Sequence, residues 1–195
     1  ARRSLLGLQL AFTAINFISA FGGVITIPLI LARTGNNAGT LATVESIAAF
    51  GGVAGGVIMT TWGGPKRKTR GVLLGMSAES LLGPLVLGVS RTFPGWIFGS
   101  FMAQAWIPII NGSNQAIWQS KVQPAVQGRV FATRRMIAQI SFPVAVLFAG
   151  PLADRVFEPA MQGGGRAAHL FGPIVGTGPG AGMGLMVALS GLLGF

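Results

Sequence analysis

The stretch SLLGLQLAFTAINFISAFGGVITIPLILA, Ser4–Ala32, holds no charged residue and is closed on both sides by arginine, Arg2 and Arg3 before it and Arg33 after it. Roughly 17 to 25 apolar residues cross the hydrocarbon of a bilayer as a helix, so this segment reads as a membrane span. Uncharged blocks recur at Ser46–Pro65, Thr92–Ser120, Met136–Ala153 and Leu170–Phe195. Charge is 9% of the chain and mean hydropathy is +0.65, far from the one-quarter charged composition of soluble domains. The chain is therefore read as an all-α integral membrane protein.

Helices are expected at about 5–32, 41–62, 71–90, 94–118, 133–153 and 174–195, in one domain over residues 1–195. Gly163 to Gly165, Pro173, Pro179 and the glycines from Gly176 to Gly184 blur the start of the last span. Arg2 and Arg3 ahead of an apolar run imitate a secretory or twin-arginine signal, but the run is too long and further spans follow. Because the chain begins at Ala1 and stops at Phe195 inside an apolar block, it reads as a fragment of something longer.

Six spans sort the 14 Lys and Arg residues by alternate ends. Arg2, Arg3, Lys66, Arg67, Lys68, Arg70, Lys121, Arg129, Arg134 and Arg135 fall on one side; Arg33, Arg91, Arg155 and Arg166 fall on the other. The positive-inside rule then expects both termini in the cytoplasm, with lipid headgroups as neighbours of the basic clusters. A net charge of +10 might have suggested nucleic acid, but these residues flank apolar spans instead of forming one solvated basic face, so nucleic acid is not an expected partner.

The polar residues inside the spans fall into two stripes. Gln9, Thr13 and Asn16 are spaced four and three apart, which sets them on one helix face. In the fourth span Gln104, Pro108, Asn111, Gln115 and Trp118 follow spacings of four, three, four and three, with Ser113 and Asn114 beside them. An unpaired amide in hydrocarbon costs on the order of 2–7 kcal/mol, so both stripes should face other helices or a wet cavity. Two readings follow: interhelical hydrogen bonding alone, or the lining of a site for an amphipathic organic molecule.

Glu79 lies about 12 Å into the third span and Glu45 about one turn inside the second. Intramembrane carboxylates are candidates for reversible protonation and coupling to a proton gradient, unless a cation or water neutralises the requirement. Pro28, Pro84, Pro108 and Pro143 each remove a backbone donor within a span, and paired glycines such as Gly51 with Gly55 and Gly180 with Gly184 suit close helix packing. Gly178 to Gly182 lacks the preceding strand and following Lys-Ser/Thr of a phosphate loop. The chain has no cysteine, one histidine at His169, and only Glu45, Glu79, Asp154 and Glu158 as acids, without metal-ligand spacing. Neither an enzyme, a metal nor a cofactor is expected.

Gly63-Gly64-Pro65-Lys66-Arg67-Lys68 with Gly71 to Gly75 resembles the loop between two helices of a major facilitator superfamily transporter, in its C-terminal half. Residues 111–119, 126–135 and 150–155 resemble the macrolide-efflux-like branch, so the resemblance covers about residues 45 to 160. It implies six of twelve helices of an alternating-access carrier in a bacterial inner membrane, exporting an amphipathic small molecule with proton coupling. It also implies a missing N-terminal half, partner chain or self-dimer, and a cytoplasmic gating role for Lys66, Arg67, Arg70, Arg129, Arg134 and Arg135; Asp154 and Arg155 resemble part of the superfamily's loop signature, whereas the six-span topology sets them in an outer loop. The superfamily signature carries an Asp before its Gly and basic cluster; Thr60, Thr61 and Trp62 stand here, which puts its acid–base latch in doubt. The resemblance would place the third span at the periphery, against a coupling role for Glu79. The rival reading is a non-transporting half-carrier that serves as an assembly subunit through its glycine-rich faces.

Overall fold

The computed structural model describes residues 2–162 and 165–195; residues 163 and 164, and the side chains of residues 1–5, 8 and 166, lie outside that description. The described chain is α-helical, and five of its helical stretches are long and apolar enough to cross a membrane. These are Gln9–Arg33, Ala38–Trp62, Lys68–Val89, Phe93–Lys121 and Pro124–Met161.

The first helix, α1, runs Arg2–Arg33 and α2 runs Ala38–Trp62. The Asn37 side chain caps α2 by accepting from the Thr40 N–H at 3.0 Å, and Gly63 closes it in the left-handed region at φ 75°. Gly64 continues that turn at φ 76°, and Lys68 Nζ donates to the Gly63 carbonyl at 3.0 Å, setting a cation on the exposed end of α2. Of the basic cluster, Lys66, Arg67 and Arg70 are solvent-exposed, and Arg70 belongs to the next helix instead of the loop.

The third and fourth spans are each broken in two. The third consists of α3, Lys68–Leu82, and α4, Pro84–Val89; the fourth consists of α5, Phe93–Ala105, and α6, Ile107–Lys121. Proline lies in the first turn of both α4 and α6, where the missing N–H withdraws the usual helical donor from the carbonyl four residues earlier; that of Gln104 accepts from the Trp106 N–H instead. Gly83, at the first break, sits so close to Ala103 that a methyl would come within 2.7 Å of its Cα. The two interruptions are thus neighbours in adjacent spans.

The expected span 133–153 is much longer. Helix α7 runs Pro124–Leu152, passes through a π-helical turn at Ala153–Phe157 and continues as α8, Glu158–Met161. Arg129, outside the expected helix, is therefore helical along with Arg134 and Arg135, because Pro124 starts the helix early and arginine is a good helix former. Gln127 fixes the tight α6–α7 turn by donating to the carbonyls of Gln119 at 3.2 Å and Val122 at 2.9 Å. Asp154 and Arg155 likewise sit on the π turn, exposed, and not in a loop. That turn lies against Gly182, whose missing side chain admits the backbone of Phe157 and Glu158.

The expected helix 174–195 is also corrected. Helix α9 is Arg166–Val175 and α10 is Ala181–Gly194, separated by Gly176, Gly178 and Gly180 at φ 87°, 115° and 78°. Three positive φ values within five residues forbid a continuous right-handed helix. Leu170 and Ile174 of α9 are exposed, whereas α10 is buried along most of its length among α1, α3, α4 and the π turn.

The main core gathers Ile25, Leu29, Ile30, Val44, Leu87, Trp96, Ala149, Met186 and Val187, at the Arg33 end of α1. Outward-facing Phe50, Leu73, Leu74, Leu147 and Leu193 are each more than 60% exposed, a surface that only lipid tails would solvate.

Candidate functional site

Helix α1 carries its polar stripe at one end and Arg33 at the other, roughly 36 Å apart at 1.5 Å per residue. The two ends differ in chemistry. At the Arg33 end the guanidinium donates to the carbonyls of Gly88 at 3.3 Å, Val175 at 2.8 Å and Ser90, stapling the C-terminal ends of α4 and α9 to α1. Trp96 Nε1 donates to the same Ser90 carbonyl at 2.9 Å, and Gly184 lets the arginine lie against the α10 backbone. The apolar core lies directly inside this end, and two clefts of about 310 and 420 Å³ flank Ala32 outside it.

At the opposite end a cavity of about 630 Å³ opens between α1, α6 and α7. Gln9, Thr13 and Asn16 enter from α1, Asn111, Asn114 and Gln115 from α6, and Phe131, Arg134 and Arg135 from α7. Five of the seven residues expected in a cavity thus meet in one. Trp118 is buried and lies behind the wall, and Gln104 is exposed on α5 near Gly52 of α2, away from the cavity. The interruption at Trp106 lies between Gln104 and Asn111.

Part of the α1 stripe is internally satisfied. Thr13 Oγ1 donates to the Gln9 carbonyl at 2.9 Å and Asn16 Nδ2 to the Phe12 carbonyl at 2.7 Å, the back-bonding that short polar side chains make within helices. Gln9 uses its side-chain oxygen across the helices, accepting from Arg134 Nε at 3.0 Å. The Arg134 guanidinium carbon stands 4.0 Å from the centre of the Trp118 ring and 5.8 Å from that of Phe131. It is held by an amide at its side and an indole face below, a geometry that suits the planar arginine side chain. On α6, Asn114 Oδ1, Ser113 Oγ and Trp118 Nε1 are buried without a hydrogen-bond partner.

Arg134 is a cavity residue that sequence reasoning did not expect there. It fell within the expected helix 133–153 but was grouped with the cytoplasmic basic residues, and the signal that could have found it was the absence of glycine or proline between Gly128 and Pro143, which lets the helix begin well before it. Glu79 lines a smaller cleft of about 140 Å³ with Phe12, Asn16 and Asn111, all three of which also line the large cavity. Ser80 Oγ donates to its carboxyl at 3.3 Å. Helix three therefore adjoins the cavity, where the family resemblance expected it at the periphery. Glu45 is exposed on α2, and His169 is exposed on α9. Among the described residues no cluster of His, Asp or Glu could hold a metal ion.

Compared with protein-family models, with curated proteins and with solved structures, the chain matches none.

Proposed function

We propose that this chain is a six-helix half of a secondary carrier of the major facilitator type, of the macrolide-efflux-like branch. In this reading α1, α2, α3 with α4, α5 with α6, α7 with α8, and α10 are the six spans. The carrier exports an amphipathic small molecule from a bacterial cytoplasm by alternating access, with both termini and the wide cavity mouth on the cytoplasmic side. A second six-helix half, from the same polypeptide, a partner chain or a second copy, completes the pathway, because carriers of this design hold solute between two rocking repeats.

One observation carries the reading: polar stripes on α1 and α6 converge with Arg134 on a single cavity inside an otherwise apolar bundle. Its volume lies within the roughly 300–1,000 Å³ range of small-molecule sites. The assembly-subunit alternative relied on glycine-rich faces for partners. Gly51, Gly55, Gly88, Gly182 and Gly191 instead face backbone of the chain's own neighbouring helices.

Cells expressing the complete gene should accumulate fluorescent amphiphiles less than cells lacking it, and a protonophore should abolish the difference. Asn111→Leu removes a polar cavity group and should weaken export by about tenfold, corresponding to a loss of ~1.4 kcal/mol. Glu79→Gln tests coupling separately: export through this variant should no longer respond to the proton gradient. If accumulation is the same for the complete gene, Asn111→Leu and empty cells across a broad dye panel, the exporter reading is wrong.

A further inference from the structure

The cavity is charged with one sign only. Arg134 and Arg135 line it, and none of the chain's four Asp and Glu residues does. Glu79 lies in the adjoining cleft, where Ser80 is its hydrogen-bond partner. The Arg134 fork is oriented but not consumed: Gln9 accepts from Nε and Trp118 supports the face, and among the described residues the terminal nitrogens of this cavity-lining arginine have no hydrogen-bond partner. Asn114, 5% exposed and lining the cavity, has an amide oxygen with no partner among the described residues, an acceptor for a donor group on the body of the occupant and not for its anionic head. The remaining wall combines the amides of Asn16, Asn111 and Gln115 with the rings of Phe12 and Phe131.

Two guanidiniums beside low-dielectric walls repel a cationic solute and favour an anion, since charge interactions strengthen as water is excluded. A bidentate acceptor such as a carboxylate, sulfonate or phosphate fits the free edge of Arg134. Resting on the proposed carrier reading, we infer that the occupant of this cavity is an amphiphile with an anionic headgroup, seated on Arg134 and Arg135, with its apolar body against Phe12 and Phe131. The headgroup belongs either to a free solute or to a membrane lipid that enters the same mouth.

The test uses the full-length protein in phosphatidylcholine nanodiscs and two dyes of nearly the same skeleton, anilinonaphthalene sulfonate and neutral phenylnaphthylamine, each read against empty discs. The sulfonate should bind at least tenfold more tightly to wild type than the neutral dye does. Arg134→Gln should remove that preference, Arg134→Lys should keep part of it, and the exposed Lys121→Gln should leave it intact. Arg135→Gln, which alters an exposed side chain, should weaken the sulfonate several-fold and serves if Arg134→Gln does not fold. Replacing a third of the lipid by phosphatidylglycerol separates the sources: an unchanged sulfonate affinity marks a free solute, and a lost affinity marks a lipid headgroup on the same arginines.

Equal binding of the two dyes to wild type overturns the anionic assignment and leaves the carrier reading standing. If neither dye binds above empty discs while the export assay is also negative, both fail together.

Discussion

Gly55→Ala is expected to leave little correctly folded protein. On α2, a methyl at Gly55 would fall within van der Waals contact of the carbonyl oxygen of Ala105, and one at Gly51 would do the same to that of Phe101. Both obstacles are backbone, so no rotamer change relieves them, and α2 would have to separate from α5. Overpacking of this kind costs about 1–3 kcal/mol even in adaptable cores. Here the loss should be at or above that range, because helix association in lipid depends on close packing instead of a hydrophobic drive. Gly56→Ala, one position along, meets nothing within 4 Å and should be neutral or gain up to about 1 kcal/mol from helix propensity. Thermal unfolding in detergent, followed by size-exclusion fluorescence, separates the three variants; equal melting of Gly55→Ala and Gly56→Ala would refute the packing.

Arg33→Ala should be the most damaging polar substitution, lowering stability by about 2–4 kcal/mol. The arginine donates to the Val175 and Gly88 carbonyls and shares that of Ser90 with Trp96, and hydrogen bonds from charged donors contribute about 1.5–3 kcal/mol each. Removing it also withdraws a cation from two helix C-terminal ends. Trp96 still donates to Ser90, so Val175 and Gly88 carry most of the loss. Arg33→Lys retains charge but reaches fewer carbonyls, and should fall between wild type and Arg33→Ala. Hydrogen exchange should rise first at the ends of α4 and α9; exchange unchanged there would mean that the staple contributes nothing.

Period and charge made the all-helical class, with its long apolar stretches, and the α1 stripe readable from sequence. Gln9, Thr13 and Asn16 occupy an unbroken helix, so a spacing of four and three maps directly onto space. The same count failed for Gln104, which is exposed near Gly52 of α2, because spacing puts residues on one face without saying which neighbour that face meets at each level. Charge misled in a different way. It separates lipid-facing from wet segments, and Arg134 is wet without leaving its helix, since the cavity supplies the polar surroundings that a loop would. The end of the chain was the least readable part. Gly176, Gly178 and Gly180 can pack two helices closely or unwind one, and only the positive φ angles distinguish these outcomes. Glu79 stood out as an intramembrane acid, but its place beside the cavity depends on how α3 packs against α6.

The paired interruptions at Gly83 and Trp106 have a mechanical consequence. Pro84 and Pro108 have already removed the backbone bonds to the carbonyls of Ser80 and Gln104. At Ser80, Gly191 of α10 lies against the bared oxygen with no side chain between. Each level has lost one helical main-chain bond to proline, while the Gly83, Leu87 and Ile110 N–H groups still bond across it to Glu79, Gly83 and Trp106, so two adjacent spans bend there against fewer bonds than elsewhere. The bundle therefore carries a crease across two of its staves, set between the arginine staple at Arg33 and the charged mouth at Arg134.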